Sequence, residues 1–165
     1  MFLNFRTHKL FQMSDYQIEK NIVLAYYKAL DSAPAGATEP VLRATVSADH
    51  IWRGFHPFNV IVGAAGLARD FWDPLRQSLT SLQRRMDIFI AGNNSIESHG
   101  GRWVVSMGHL MGLFDAPWLG IQPTGKIVML RYADFHRVEN GIITDTAMYF
   151  DIPHLMMQAG LSPFP

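Results

Sequence analysis

Asp134 and His136 are the residues whose types and spacing point most directly to chemistry. They lie two positions apart in the apolar segment Ile127–Val138, between a turn at Pro123–Lys126 and a second turn at Asn140-Gly141. Side chains two residues apart on a β-strand point to the same face. A carboxylate and an imidazole on one face of a buried strand must be paired, hydrogen-bonded or functional, because burying an unpaired charge is costly. The pattern therefore predicts that Asp134 and His136 are catalytic.

A structural role for the same carboxylate is the alternative. Asp134 would then form a salt bridge with an arginine of a neighbouring strand, or a hydrogen bond with His136, and serve only to hold the sheet together. Structural ion pairs of this kind are common on strands, so the residue types alone leave both roles open.

Other histidines lie on predicted strands. His109 lies in mid-strand, and an imidazole that titrates near neutral pH suits general acid or base catalysis, so His109 is a third catalytic candidate. A first strand is predicted from His50 to His56, with Trp52 between them. At about 3.3 Å per residue the two imidazoles would be roughly 20 Å apart, so they cannot share a metal ion. We therefore predict no metal site.

Methionine and aromatic side chains are plentiful and suit an adaptable apolar pocket, although such residues more often form plain core. Together with polar residues on the same predicted strands, they form the predicted substrate-binding set: His50, Trp52, Phe71, Trp72, Met107, Met111, Tyr132, Met148 and Phe150.

The order of elements indicates an α+β fold. Apolar residues at three- and four-residue spacing predict a helix over Ser14–Ser32, and Thr38 begins a second helix. A third helical stretch breaks and restarts at Asp73-Pro74, with Leu75, Leu79 and Leu82 on one stripe. Consecutive strands follow from Arg84 onward. Helices followed by strands joined through short turns predict a mostly antiparallel sheet, and Asn140-Gly141 is a strong hairpin signal for its last two strands.

Composition excludes several classes of protein. The chain has 165 residues, no net charge and no cysteine, which argues against nucleic-acid binding, disulfides and thiol catalysis. No apolar run approaches the length of a membrane span, about 18 residues, and no nucleotide-binding motif is present, so we expect neither membrane association nor a cofactor. Residues 1–12 lack the apolar run of a signal peptide, so we expect a cytoplasmic protein with an N-terminal extension and one domain over residues 13–165.

The order of the C-terminal motifs resembles the SnoaL-like polyketide cyclases. The resemblance rests on the Pro-Thr-Gly-Lys turn at 123–126, the Asp-x-x-Arg-Val strand end from Asp134, Asn140-Gly141, Asp151 and the tail Gln158–Leu161. That family belongs to the nuclear transport factor 2-like superfamily, which also holds the ketosteroid isomerases. The resemblance implies a cone of helices on a strongly curved sheet, with a hydrophobic pocket at its concave end.

By the same resemblance, Asp134 matches the acid that donates a hydrogen bond to a developing oxyanion in ketosteroid isomerases. One position departs from the family. The aldol-type cyclases carry a catalytic Asp three residues before the residue that matches Asp151, and Met148 stands there in this sequence. Methionine cannot abstract a proton, so the family's cyclase mechanism does not transfer directly.

Three functions fit the sequence. The first is a cofactor-free cyclase, isomerase or lyase that moves a proton next to the carbonyl of a small hydrophobic molecule. The second is a binding module for such a molecule without turnover, and the third is a dimeric interaction protein. Both parities of Ile127–Val138 are rich in apolar residues, so we also expect a homodimer through the outer sheet face. A pocket filled by Trp52, Met148 and Phe150 would favour the third function.

Overall fold

The computed structural model describes residues 16–96 and 100–164, and within these ranges the chain forms five α-helices and six β-strands. The helices are α1 (Gln17–Ser32), α2 (Glu39–Thr45), α3 (Gly63–Leu67), α4 (Asp73–Ser78) and α5 (Ile152–Gln158). The strands are β1 (Val46–Arg53), β2 (Val60–Val62), β3 (Leu79–Asn94), β4 (Gly101–Phe114), β5 (Ile127–Glu139) and β6 (Ile142–Phe150). The predicted N-terminal extension, residues 1–12, lies outside the described residues.

The six strands form one sheet in the order β2-β1-β6-β5-β4-β3. Strand β1 runs parallel to β6, and the other neighbours are antiparallel, so the predicted α+β fold with a mostly antiparallel sheet is confirmed. The Asn140-Gly141 hairpin joins β5 to β6 as predicted, with φ angles of 51° and 84° at its two turn residues. Positive φ at both central residues is what a type I′ turn requires.

Alternation along β5 divides the sheet into two faces. Even-numbered residues from Val128 to Val138 are buried, while odd-numbered residues such as Ile127, Met129 and Phe135 are partly or largely exposed. The buried face packs against the helices, because its residues share one core with side chains of α1 such as Val23. We call the helix-covered side the inner face and the opposite side the outer face. The strong curvature expected of this sheet stays a prediction.

Two local predictions were wrong. The Asp73-Pro74 step does not restart a helix after a break, because a π-helical segment, Ala68–Trp72, joins α3 directly to α4. Pro74 cannot donate the amide hydrogen that an uninterrupted α-helix needs, and the π segment lies immediately before it. The helix ends at Ser78, so the predicted stripe was cut short and both Leu79 and Leu82 lie in β3.

Asp73 stabilises the start of α2. Its Oδ1 accepts hydrogen bonds from the Thr38 backbone amide at 3.1 Å and from the Thr38 hydroxyl at 2.7 Å. It therefore ties α4 to the start of α2. The first strand also differs from prediction, since β1 ends at Arg53 and His56 falls in the loop that follows. None of the described helices combines the length and the apolarity needed to cross a membrane.

Candidate functional site

Polar side chains from four strands and one helix meet on the inner face. Helix α1 supplies Tyr27, and strands β1, β3, β5 and β6 supply the rest. We call this group the inner polar cluster: Tyr27, His50, Arg84, Asp134, His136 and Thr146. It is surrounded by apolar core, so each of its polar atoms depends on the others for hydrogen bonds.

Asp134 is the centre of the cluster and is only 1% exposed. The Tyr27 hydroxyl donates a hydrogen bond to its Oδ1 at 2.7 Å, and His136 Nε2 lies 3.2 Å from its Oδ2. The Arg84 guanidinium lies 3.7 Å from the same Oδ2. The carboxylate thus has one hydrogen-bond donor and two further polar neighbours, an imidazole and a cation, and its four lone-pair positions leave room for a further proton donor.

His136 connects Asp134 to two further strands. Its Nδ1 lies 3.0 Å from the Thr146 hydroxyl oxygen, directly across the β5–β6 pairing. The same hydroxyl lies 3.0 Å from His50 Nε2 on β1. The rings of Tyr26 and Tyr27 pack edge-on against the His136 ring, with centroids 5.4 and 5.6 Å away. The imidazole is therefore held at both nitrogens and around its ring.

Arg84 is a buried cation with an incomplete set of partners. Its side chain is 3% exposed, and its guanidinium carbon lies 4.0 Å from the centroid of the Tyr27 ring and 5.0 Å from that of Tyr132. None of its three guanidinium nitrogens has a hydrogen-bond acceptor at bonding distance among the described residues. Its carboxylate neighbours are Asp31 at 3.5 Å and Asp134 at 3.7 Å. Its N–H donors thus lie near two carboxylates but make no hydrogen bond of good geometry.

Burial sets the protonation states of the neighbouring groups. Desolvation raises the pKa of Tyr27 well above its usual value, and the charge of Asp134 adds to this, so Tyr27 remains a donor. Desolvation lowers the pKa of His50 to about 4, with a contribution from His136, so His50 is neutral at pH 7. Burial opposes the charge of Arg84, but Asp31 and Asp134 outweigh it and hold its pKa above the usual value.

Asp31 links the cluster to the surface. It lies at the end of α1, 3.5 Å from Arg84. Together with Arg76 and Thr80 it lines a cavity of about 240 Å³. Desolvation raises the pKa of Asp31, although the charges of Arg84 and Arg76 oppose the change. A cavity of this size is smaller than the roughly 300–1,000 Å³ typical of ligand pockets.

Most of the predicted substrate-binding residues lie on the inner face but pack against one another. Trp52, Phe71 and Phe150 form a continuous aromatic group, with the ring centroids of Trp52 and Phe71 4.6 Å apart and those of Phe71 and Phe150 5.7 Å apart. Trp72 and Met148 are each 1% exposed in the same core. These residues form a filled interior, which is the arrangement that the sequence analysis associated with an interaction protein.

Three residues of the predicted substrate-binding set lie in or beside the inner polar cluster. Met148 pairs in register with Asp134 across β5 and β6. The methionine that stands where the resemblance to the cyclases would place an Asp therefore lies beside the candidate acid. Tyr132 exchanges a hydrogen bond of 2.8 Å with Ser106 and contacts the Arg84 guanidinium with its ring. His50 contacts Thr146, so it enters the cluster through that hydroxyl.

The structure does not bring His109, Met107 and Met111 to the cluster. Odd-numbered positions of β4 point to the outer face, opposite to Ser106, and β5 places Asp134 on the inner face. His109 Nδ1 instead lies 3.3 Å from Asp87 Oδ2 on β3. The thickness of the sheet separates His109 from Asp134, so the two cannot act on one substrate within a single chain.

Three members of the cluster and one neighbour were not predicted as site residues from the sequence: Tyr27, Arg84, Thr146 and Asp31. The apolar stripe of the first helix already included Tyr26 and Tyr27, but nothing in the pattern showed that Tyr27 would meet a residue 107 positions later. Arg84 is followed by exposed Arg85, and two adjacent arginines look like a solvated surface in a sequence. The described residues include no group of three side chains that could hold a metal ion.

Comparison with known proteins gives similarity in fold. No protein-family model matches the sequence, and no curated protein matches it. Solved structures do match: AclR, a candidate hydroxylase from Streptomyces galilaeus, is 15% identical with a TM-score of 0.68, and the alignment covers 89% of this chain and 84% of AclR. A candidate polyketide cyclase from Xanthomonas campestris pv. campestris is 20% identical with a TM-score of 0.66, covering 88% of this chain and 99% of that protein.

A nuclear transport factor 2-like protein from Burkholderia thailandensis is 19% identical with a TM-score of 0.61, covering 86% of this chain and 95% of that protein. Other similar structures are described as SnoaL-like polyketide cyclases and as a candidate isomerase from Rhodopseudomonas palustris. Sequence identities this low show that the fold is shared, but they do not show that the reaction is shared. The resemblance found in the C-terminal motifs therefore extends to the whole fold: the chain has the nuclear transport factor 2-like fold, and SnoaL-like polyketide cyclases are among its structural neighbours.

Proposed function

We propose that this protein binds a small hydrophobic carbonyl compound on the inner face of the sheet and moves a proton at the carbon next to the carbonyl, as a cofactor-free cyclase or isomerase. The observation that carries the proposal is Arg84, a buried cation beside Asp134 whose nitrogens lie 3.5 Å or more from their carboxylate neighbours and make no hydrogen bond among the described residues. A carbonyl oxygen would supply the missing acceptor. A carbanion next to a carbonyl places negative charge on that oxygen, where a fixed cation stabilises it most.

Asp134 takes the role of general base in this proposal. Its carboxylate would accept the proton from the carbon, and His136 and Tyr27 would hold it in place through its two oxygens. This role differs from that of the ketosteroid isomerase acid, because here Arg84 is available as the oxyanion partner. Met148, in register with Asp134, supplies apolar contact and no proton chemistry.

Access past Asp31 is part of the proposal. The cavity of about 240 Å³ is lined by Asp31 and Arg76, and Asp31 is the ion-pair partner of Arg84. Since the aromatic interior is packed, a ligand larger than this cavity must displace core side chains, which favours a small and largely apolar compound. The names of the structural neighbours, among them cyclases and an isomerase, are compatible with such chemistry.

The test is exchange of the protons next to a ketone. The protein is incubated in D₂O with 2-tetralone, a small apolar ketone, and loss of the proton signal at each carbon beside the carbonyl is followed by NMR. We expect faster exchange than in buffer with an equal amount of heat-denatured protein. Exchange at the buffer rate, together with no rise in Tm on adding the ketone, would contradict the proposal for this substrate class.

A dimeric interaction module is the second candidate, and the outer face favours it. Apolar side chains there are exposed on four adjacent strands, which is unusual for a monomer: Ile88, Ile90, Met107, Leu113, Ile127, Met129, Phe135 and Tyr149. Phe135 and Tyr149 also line a concavity of about 580 Å³ on this face. We propose that two copies of the chain pair through the outer face, whether or not the inner face is catalytic.

Phe135→Glu is expected to convert this dimer into a monomer, because it places a charge in the middle of an apolar contact. Multi-angle light scattering should give twice the 18.7 kDa chain mass for the wild type and the single chain mass for the variant. Ile18→Glu is the matched control, since Ile18 is an exposed apolar residue on α1, away from the sheet. A wild type that remains at the single chain mass at micromolar concentration would exclude the dimer.

A further inference from the structure

The hydrogen bonds of the inner polar cluster form a chain through His50, Thr146, His136, Tyr27 and Asp134. The chemistry of its end group determines which atom of each pair donates. Thr146 stands at its middle, with its hydroxyl oxygen 3.0 Å from His50 Nε2 and 3.0 Å from His136 Nδ1. A hydroxyl has one hydrogen, so with two ring nitrogens as neighbours it donates to one and accepts from the other. The chain therefore runs either from His50 toward His136 or in the opposite direction.

Asp134 determines the direction. Its carboxylate oxygens only accept, and Oδ1 already accepts the hydrogen of Tyr27. His136 Nε2 lies 3.2 Å from Oδ2 and 3.1 Å from the Tyr27 oxygen, so a bare lone pair at Nε2 would face two oxygens and be repelled. Nε2 must then carry a hydrogen. In a neutral ring, which has only one, Nδ1 is left to accept from Thr146. Thr146 in turn accepts from His50 Nε2.

The state of His50 agrees with this direction. Because desolvation lowers the pKa of His50 to about 4, its ring has one hydrogen at neutral pH, and that hydrogen is the one on Nε2. Its Nδ1 is then a bare acceptor, and this atom is buried with no hydrogen-bond partner among the described residues. Leaving an N–H buried without an acceptor would cost free energy, and this tautomer avoids it because His50 Nδ1 carries no hydrogen.

We propose that His50 and Thr146 are positioning residues, which fix His136 as the neutral tautomer with its hydrogen on Nε2, directed at the Tyr27 oxygen 3.1 Å away and lying beside Asp134 Oδ2. The consequence for catalysis rests on the proposed function, because a fixed Nε2–H keeps the Tyr27 hydroxyl donating to Asp134 and so holds the carboxylate in one orientation, ready to accept a proton. The tautomer itself follows from the hydrogen-bond geometry of a neutral ring and does not depend on that function. His50, which the sequence placed in a substrate-binding set, then acts through Thr146 and does not touch the substrate.

The test reads the tautomer directly. In ¹⁵N-histidine-labelled protein at pH 7, long-range ¹H–¹⁵N correlation spectra separate protonated from unprotonated ring nitrogens by their chemical shifts. We expect His136 to show a protonated Nε2 and an unprotonated Nδ1 in the wild type. A protonated Nδ1, alone or together with Nε2 as in an imidazolium, would overturn the proposal, and this measurement requires no variant to fold.

Variants then assign the cause. Thr146→Val removes the donor to Nδ1, and the Nδ1 resonance is expected to move toward the protonated position, whereas Thr146→Ser should restore the wild-type shifts. Thr144→Val is the matched control, because Thr144 lies on the same strand and its buried hydroxyl has no hydrogen-bond partner among the described residues. An Nδ1 shift in Thr146→Val that equals that of the wild type would contradict the role of Thr146.

Ketone exchange separates this inference from the proposed function. If the wild type accelerates exchange, Thr146→Val should lower the rate by about tenfold or more, since a wrong histidine tautomer costs catalytic triads far more than that. An unchanged rate would remove the catalytic consequence. If the wild type accelerates no exchange while His136 shows the expected tautomer, the proposed function fails and the positioning of His136 stands.

Discussion

Asp134→Leu is expected to lower the free energy of unfolding by about 3–5 kcal/mol, the range measured when one partner of a buried charged network is removed. Leucine fills a similar volume but leaves the Tyr27 hydroxyl without its acceptor and His136 Nε2 without the carboxylate 3.2 Å away. Arg84 also loses the carboxylate 3.7 Å away. Urea unfolding at pH 7 measures the change.

Asp134→Asn separates the structural role from the chemical one. Asparagine keeps an oxygen that can accept from Tyr27 but has no charge to attract the Arg84 guanidinium or to take a proton. We expect it to fold, with a loss of about 1–3 kcal/mol, and to lower ketone exchange by about 100-fold or more, because a general base contributes at least that factor. Exchange at the wild-type rate in this variant would exclude Asp134 as the base.

Asp87→Leu is the matched control for the leucine variant. Asp87 lies on neighbouring β3 with 53% of its side chain exposed, and its partner is His109 on the outer face. Exposed pairs contribute about 0–1 kcal/mol, so this substitution should change stability little. A loss for Asp134→Leu no larger than that of the control would mean that the buried carboxylate does not hold the cluster together.

Arg84→Met is expected to be as damaging at pH 7, about 3–5 kcal/mol, for the opposite reason. It leaves the carboxylates of Asp134 and Asp31 near each other in the interior without the cation that lies between them. It also removes the guanidinium stacked on Tyr27, a contact that contributes about 0.5–2 kcal/mol in general. Ketone exchange should fall as well, since the oxyanion partner is gone.

The effect of pH in Arg84→Met has a definite sign. Arg84 opposes the burial that raises the pKa of Asp31, so removing it raises that pKa further. An acid whose pKa is raised in the folded state holds its proton better than in the unfolded chain, so stability is lost as pH rises through that range. The variant should therefore recover part of the lost stability between pH 7 and pH 5 relative to the wild type. A deficit that is equal at both pH values would contradict this account.

Two further variants identify the source of the Arg84 effect. Arg85→Met changes the adjacent, exposed arginine and should stay within about 0.5 kcal/mol of the wild type. The double variant Arg84→Met with Asp134→Leu removes both charges, and it should lose less than the sum of the single variants, with a coupling energy of about 0.5–3 kcal/mol. Strict additivity would show that the two residues do not interact.

Features that depend on neighbouring residues could be predicted from the sequence. The period-2 alternation of β5 places Asp134 and His136 on one face, since successive strand side chains point to opposite sides. Asn140-Gly141 determined the last hairpin, because both of its turn residues must take positive φ. The order of helices and strands determined the fold class, and the ordered C-terminal motifs indicated the superfamily whose fold the chain has.

Which residues meet in the core could be seen only in the folded chain. Both parities of β4 are apolar in the sequence, so nothing local showed that His109 would lie on the outer face while Ser106 lies on the inner one. Leu79 and Leu82 fit a helical stripe as well as a strand; Leu79 pairs with Phe114 of β4, and Leu82 lies in the irregularity of β3 between Thr80 and Gln83. Tyr27 and Arg84 reach Asp134 from distant parts of the chain, and what they share with it is a position in the folded core. Burial then gives these contacts their strength, because a charge without water depends on whichever side chains the fold places beside it.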